Sequence, residues 1–381
     1  MIEVAKRLQT VEEYYFSKKL REVNVLMASG KPIINLGIGS PDLTPPTKVI
    51  STLVESLSHS NAHKYQSYQG LPELREAMVS FYRDQFNVYL SPTTEVLPLM
   101  GSKEGIMHIS MAFLNEGDEV LIPNPGYPTY ASVTKLVEAV PVFYDLTKEN
   151  GWVPDIEKLE ERDLSKVKIM WINYPNMPTG AVASEAVLIR LVAFAKRHNI
   201  LLVNDNPYSF ILNENPRSIL EIPGAKEVCL EMNSISKTFN MAGWRVGMLM
   251  GNSERLSHVL KVKSNMDSGM FYGIQKGAIE ALKCSKMWYV SLNDVYKERR
   301  ELMWKLAEAL NCTFDRKTVG MFVWARLPEG VKSEEFIDLL LKEKHIFIPP
   351  GTIFGSNGEG YVRFSLCSPT DVIEEAIARV K

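Results

Sequence analysis

Residues 234–247, reading SISKTFNMAGWRVG, set Lys237 among three hydroxyls, Ser234, Ser236 and Thr238, and upstream of a second cation, Arg245. A lysine amine forms a Schiff base with a carbonyl cofactor, and does so best where burial or a nearby cation keeps part of its population neutral. Hydroxyls and an arginine suit a phosphate, because the guanidinium donates in a fork matched to phosphate oxygens. Taken alone, the stretch also fits a surface loop with a lysine and a chance arginine.

Other residues carry chemistry at comparable places. Asp205 closes the apolar run 200–204, with Tyr208 three positions on. A carboxylate at the mouth of a buried strand is desolvated unless it meets a cation. A protonated ring nitrogen is one such partner; an arginine or a helix cap is another. Gly101, Ser102 and Lys103 stand where the strand-like EVLPLM gives way to a helix beginning at Ser102. The start of a helix offers unpaired N–H groups and a positive dipole end, so this is a phosphate cup or, more simply, a glycine hinge with a capping serine. Prolines 123, 125 and 128 fix the backbone around Tyr127, whose rigid ring is placed to stack on a flat ligand or to pack in the core. Asn173 opens a turn built on Pro175, Pro178 and Gly180.

Gly37 and Gly39, in INLGIGSPD, let backbone approach a ligand closely, although either also serves an ordinary turn. Tyr65 lies in the polar loop HKYQSYQG, where a phenol packs or reaches a phosphate. Tyr14, Tyr15 and Phe16 lie in a helix expected over residues 11–25, as an arm packed on a neighbour or a lid touching substrate. Arg363, in YVRFSL, has apolar neighbours, and a buried arginine needs an anionic partner. An internal ion pair would also satisfy it.

These residues must be positioned by strands alternating with helices. Strands are expected at 119–123, 141–144, 168–173, 200–204, 228–232 and 245–250, and helices at 102–110, 130–138, 184–198 and 253–265. That alternation predicts an α/β chain with a doubly wound, mostly parallel sheet between helices. Such sheets bind ligands at the carboxyl ends of their strands, and that is where several of the candidates fall. The pattern changes beyond 270: helices at 275–282, 288–310 and 333–343 mix with strands at 321–327 and 345–349 and the final YVRFSL. The expected division is therefore a large domain over 44–270 and a smaller α+β domain from 1–43 and 271–381.

Composition narrows the function classes. With 43 basic and 45 acidic side chains the net charge is −2, which gives no electrostatic footprint for nucleic acid or an anionic membrane. No apolar run reaches membrane-span length. The four cysteines, Cys229, Cys284, Cys312 and Cys367, include no CxxC pair, which argues against a zinc site and fits a reducing compartment. A cytoplasmic protein that handles small molecules, or a copy of itself, is expected.

Taken in order, the glycine-serine helix start, the rigid tyrosine, NxPxxPTG, DNPY, SxSK with a following arginine, and RFSL resemble the fold type I pyridoxal-phosphate aminotransferases, class I and II, over nearly the full length. The resemblance implies pyridoxal 5′-phosphate held by Lys237, with Asp205 on the ring nitrogen, Tyr208 on the phenolic oxygen and Tyr127 on the ring face. It implies a phosphate site from Gly101, Ser102, Lys103, Ser234, Ser236 and Arg245, with Tyr65 supplied by a partner subunit, hence a homodimer with shared sites. Arg363 would take the substrate α-carboxylate, helped by the backbone near Gly39, with Asn173 and Tyr15 nearby. The activity implied is transfer of an amino group from an L-amino acid to a 2-oxo acid, through the pyridoxamine form.

One position departs from the family pattern: Met177 stands where NPTG would have asparagine, and a thioether is a weak acceptor that cannot donate. The segment SNMDSGMFYG contains no arginine for a second carboxylate, so a neutral, apolar or aromatic donor is expected. Two rival readings are a β-lyase on the same cofactor and an aminotransferase-like transcription regulator. The short arm before INLGIG and the near-neutral charge argue against the regulator.

Overall fold

The computed structural model describes residues 2–11, 13 and 15–381; Tyr14 and the Phe16 side chain lie outside what is described. Short β1 (Ile34–Asn35) precedes a run of strands: β2 (Val96–Leu99), β3 (Glu119–Asn124), β4 (Val140–Asp145), β5 (Val167–Ile172), β6 (Leu201–Asp205), β7 (Cys229–Ser234) and β8 (Gly247–Gly251). β2 to β8 form one seven-stranded sheet in the order β2-β8-β7-β6-β5-β3-β4. β8 runs antiparallel to both neighbours and the other pairings are parallel. The sheet is therefore mixed and mostly parallel, as expected, and its central strands β6 and β7 are buried along their whole length. Strands covered on both faces read as continuous apolar runs, which is why 200–204 and 228–232 stood out in the sequence.

Helices cover both faces. Glu185–His198 shows how their ends are set: Ser184 caps the start by accepting from Val187 N, and Asn199 ends it in the left-handed region at φ 52°. Apolar cores lie on each side of the sheet, one centred on Met170, Ile172 and Leu202 and the other on Ile169, Trp171 and Val203, the odd and even residues of the same strands.

A second body is built on β9 (Thr313–Phe314), β10 (Phe322–Arg326) and β12 (Tyr361–Ser365), in the order β12-β10-β9, with β11 (Ile346–Phe347) paired in parallel to β1. It has its own core, which includes Ile34, Leu36, Trp304 and Phe364. The N-terminal segment is tied into it, since Leu36 N bonds Phe347 O and Ser365 N bonds Leu36 O. The helix Tyr272–Leu282 packs on Thr47–Ser56 and Pro72–Phe86, beside the large sheet, and the chain passes to the small body along Lys286–Ala309, which packs on Thr370–Val380 and β10.

Three local expectations are corrected. The first long helix runs Tyr15–Ala28 rather than 11–25. The strand placed at 245–250 starts at Gly247, because Arg245 sits in the left-handed region at φ 56° and closes a short turn instead. The strand placed at 345–349 is only Ile346–Phe347, because His345 caps a helix in the left-handed region and its carbonyl bonds Ile34 N.

Candidate active site

The ends of the parallel strands bring the expected residues together. A cavity of about 330 Å³ is lined by Ser102, Lys103, Tyr127, Asn173, Asp205, Tyr208, Ser234, Ser236, Lys237 and Arg245 from the large body. Phe322, Phe354 and Arg363 close it from the small body, and Leu20, Ile38 and Gly39 come from the N-terminal segment. A larger cleft of 450 Å³, lined in part by Tyr174, Arg217, Arg300 and Lys317, holds none of the candidate residues.

Lys237 lies in a single helical turn, Ile235–Thr238, that continues β7. Ser234 makes the turn by accepting from Ser236 N, and its hydroxyl donates to Ser236 Oγ at 2.7 Å. The Lys237 amine, partly buried, donates to Gly39 O at 2.6 Å. Burial is the main reason its proton affinity is held below the ordinary lysine value; Cys367 opposes this, and Arg363 and Arg245 add to it. The neutral, nucleophilic form is thus more accessible than in an exposed lysine.

Asp205, buried at the end of β6, accepts from Tyr130 OH through Oδ2 at 2.9 Å. Its Oδ1 is buried with no hydrogen-bond partner. Burial pushes the carboxyl up to about 6, against the Tyr130 hydrogen bond and the Lys237 charge, which both lower it. A buried carboxylate with one oxygen unsatisfied, facing a cavity, is arranged for a cationic or N–H partner. Tyr208 packs edge-on against Phe322 at 5.7 Å, and burial raises its phenol above the ordinary value.

The helix Ser102–Phe113 begins at Gly101, whose φ of 89° suits glycine. A Cβ at Gly101 would stand 2.0 Å from Arg245 Nη2, so the guanidinium occupies the space a side chain would fill. Ser102 Oγ bonds Asn233 O at 3.3 Å, and burial with the Arg245 charge lowers the proton affinity of Lys103. Hydroxyls, two cations and a helix start converge here, the composition of an oxyanion cup.

Arg363 is buried on β12. Its guanidinium carbon lies 4.0 Å from the Phe322 ring centroid and 4.8 Å from that of Phe354. Nη2 donates to Gly37 O at 2.8 Å and Nη1 reaches Met177 Sδ at 3.4 Å. Gly39 must be small for this packing, since a Cβ there would stand 2.7 Å from the Phe322 ring. Two aromatic rings and a thioether thus flank a cation whose N–H groups border the cavity.

Of the two asparagines beside Met177, Asn173 lines the cavity and Asn176 does not. Asn173 bridges Asp205 O and Met177 N, at 2.5 and 2.8 Å, and Asn176 Oδ1 accepts from the Thr179 N–H and hydroxyl. Three expected residues are not in the lining: Gly101, which lies behind the Arg245 guanidinium, Tyr15 and Tyr65. Tyr15 sits near Glu334 and Asp338 of the small body, and its helix reaches the cavity with Leu20 instead. Tyr65 is 90% exposed and outside the cavity.

Tyr130, Phe322 and Phe354 were missed. Tyr130 lies in the first turn of the helix Thr129–Leu136, just after the proline-fixed segment that holds Tyr127, and its ring meets that of Tyr127 edge-on at 5.5 Å. It stacks on Trp171 at 5.0 Å, which fixes its hydroxyl under Asp205.

The chain matches the family described as aminotransferase class I and II over residues 31–380. It is 40% identical over 383 residues to an LL-diaminopimelate aminotransferase of Aquifex aeolicus, covering 100% of this chain and 99% of the relative. The LL-diaminopimelate aminotransferase of Maridesulfovibrio salexigens is 40% identical over 380 residues, covering 99% and 98%. Substrate-bound BacF of Bacillus subtilis superposes with a TM-score of 0.96 at 36% identity, covering 100% of this chain and 97% of that one.

Proposed function

Since the chain belongs to the class I and II aminotransferases, a pyridoxal-phosphate-dependent family, we propose that it transaminates LL-diaminopimelate, with the cavity at Lys237 as its active site. Transfer of an amino group to a 2-oxo acid is the activity of the family. The donor rests on the two full-length relatives, both named for that substrate, and replaces the neutral, apolar or aromatic donor expected from the sequence. One observation favours that earlier donor as a second reading: Leu20, Ile38, Phe322 and Phe354 give the cavity apolar walls.

The residues fit pyridoxal 5′-phosphate. The buried, unsatisfied Asp205 Oδ1 matches a protonated ring nitrogen, Tyr208 suits the phenolic oxygen, and Tyr127 suits the ring face. The cup of Ser102, Lys103, Ser234, Ser236 and Arg245 matches a phosphate. When bound, the cofactor supplies an electron sink for the bond broken at the substrate α-carbon. Lys237, whose proton affinity burial lowers, would take the proton from that carbon. Asp205 stays charged beside a cation and so keeps the ring nitrogen protonated. Arg363, held beside Met177, would offer its N–H groups to the substrate carboxylate, which fixes the α-carbon against Lys237. Phe322 and Phe354 exclude water around that contact.

A homodimer is part of this reading. Tyr65, exposed in the single chain, would complete the phosphate cup of a second copy, and Met266 and Phe271 are also exposed.

A panel of amino donors against 2-oxoglutarate and other oxo acids tests the donor. kcat/KM highest for LL-diaminopimelate by about tenfold or more supports the first reading. A preference for leucine, methionine or phenylalanine returns the apolar donor. No conversion by any pair would sink both.

A further inference from the structure

Glu231 is fully buried on β7, and its carboxylate accepts four hydrogen bonds from neutral donors: Tyr82 OH at 2.9 Å, Ser218 Oγ at 2.7 Å, Ile219 N at 2.9 Å and Asn204 Nδ2 at 2.9 Å. An acid this deep is desolvated, so it requires those donors and is held in one place by them.

The consequence runs toward the cavity. β6 and β7 pair in parallel with Asn204 opposite Glu231. With its NH₂ engaged by Glu231, the Asn204 amide presents Oδ1 to the turn that follows β5, where it accepts from Tyr174 N at 3.1 Å. Reversed, the amide would set acceptor against acceptor at Glu231 and donor against donor at Tyr174 N. Tyr174 follows Asn173, which bridges Asp205 O and Met177 N. Met177 Sδ in turn meets Arg363 Nη1. The hydrogen-bonded links are directional, and the series places the Met177 side chain against the guanidinium, so that its bulk rather than its sulfur is what the turn holds in position.

We propose that Glu231 is a positioning residue for recognition of the substrate carboxylate: by fixing the Asn204 amide it holds the 173–177 turn, and Met177 with it, against Arg363. This rests on Arg363 as the carboxylate-binding cation.

Three variants of the holoenzyme separate position from charge and from bulk stability. In Glu231→Gln the amide oxygen can accept from Asn204 and Ile219 while its NH₂ donates to the hydroxyl oxygens of Tyr82 and Ser218, so the geometry is kept and the charge is lost. Glu231→Leu removes the acceptors. Asn204→Ala cuts the link and leaves Glu231 its other three donors. The readouts are kcat, KM for the donor, and the dissociation constant of the donor's α-methyl analogue, which has no α-proton to lose. Glu231→Gln is expected within about twofold of wild type on all three, while Glu231→Leu and Asn204→Ala raise KM and the analogue dissociation constant about tenfold with kcat within about threefold.

Unchanged KM in Asn204→Ala overturns the proposal. So does equal weakening in Glu231→Gln and Glu231→Leu, which would assign the effect to charge. A lower active fraction at unchanged KM would mark an ordinary core residue. Should Glu231→Leu fail to fold, the other two variants decide. Arg363→Lys is the control for the underlying reading: analogue binding unaffected by it would remove Arg363 from the substrate rather than Glu231 from the turn.

Discussion

Tyr130 donates its phenolic hydrogen to Asp205 Oδ2 at 2.9 Å and leaves Oδ1 buried without a hydrogen-bond partner, in a residue that lines the cavity. The pair divides the carboxylate between a protein donor and a ligand, and sets its charge as well as its direction. Tyr130→Phe removes a hydrogen bond to a charged acceptor, worth about 1.5 kcal/mol or more, so the Asp205 proton affinity should rise by about one pH unit. The acidic limb of kcat/KM should move toward neutrality by that amount. An unmoved limb in the pH profile would mean that Asp205 is not the group whose ionisation controls activity.

Asp205 also predicts a pH dependence of stability in the cofactor-free protein. Its carboxyl is raised from the ordinary 3.8 to about 6, so the folded state binds this proton more tightly than the unfolded state. The stabilising contribution is therefore full below about pH 4 and is lost as pH rises through about 6. Asp205→Asn should be more stable than wild type by up to about 3 kcal/mol above pH 6, with the difference closing toward pH 4. Urea unfolding at a series of pH values measures it, and a difference that does not vary with pH would refute the assignment.

Gly101→Ala should act on the phosphate cup. The new methyl would fall on Arg245 Nη2 in a backbone region that side chains rarely adopt. Displacing the guanidinium is expected to weaken cofactor binding at least about tenfold, by analogy with loss of a charge-assisted bond. Equilibrium titration of the cofactor-free variant reads this directly; wild-type affinity would place the phosphate elsewhere.

Met177→Leu keeps volume and removes the sulfur. Because a thioether is a weak acceptor, KM across donors should change by about threefold at most, whereas Arg363→Lys should raise it about a hundredfold through loss of the fork. A large effect of Met177→Leu in steady-state kinetics would give the sulfur a stronger role than its chemistry allows.

Mixing Lys237→Ala with Tyr65→Ala chains tests the shared site. In a hybrid dimer one site carries both defects and the other carries neither, so activity should rise above that of either parent. Activity that stays at the sum of the parents would place Tyr65 outside the neighbouring site.

The sequence alone determined the alternation of elements and singled out Lys237 with its hydroxyls. These are local matters: apolar runs mark strands buried on both faces, and glycine, proline and serine mark the turns that end them. It also marked Arg363, because a cation among apolar residues of a strand is conspicuous at short range.

Tertiary structure decided what those residues touch. Phe322 and Phe354 flank Arg363, Leu20 rather than Tyr15 reaches the cavity, and Met177 meets a guanidinium 186 positions away. Gly39, expected to assist Arg363, instead gives its carbonyl to Lys237, 198 positions on. Contacts at such separations depend on how two bodies close over one sheet edge, and no periodicity within either segment encodes them. The departure at Met177 was visible as a residue type; only its distance to Arg363 gave it a partner.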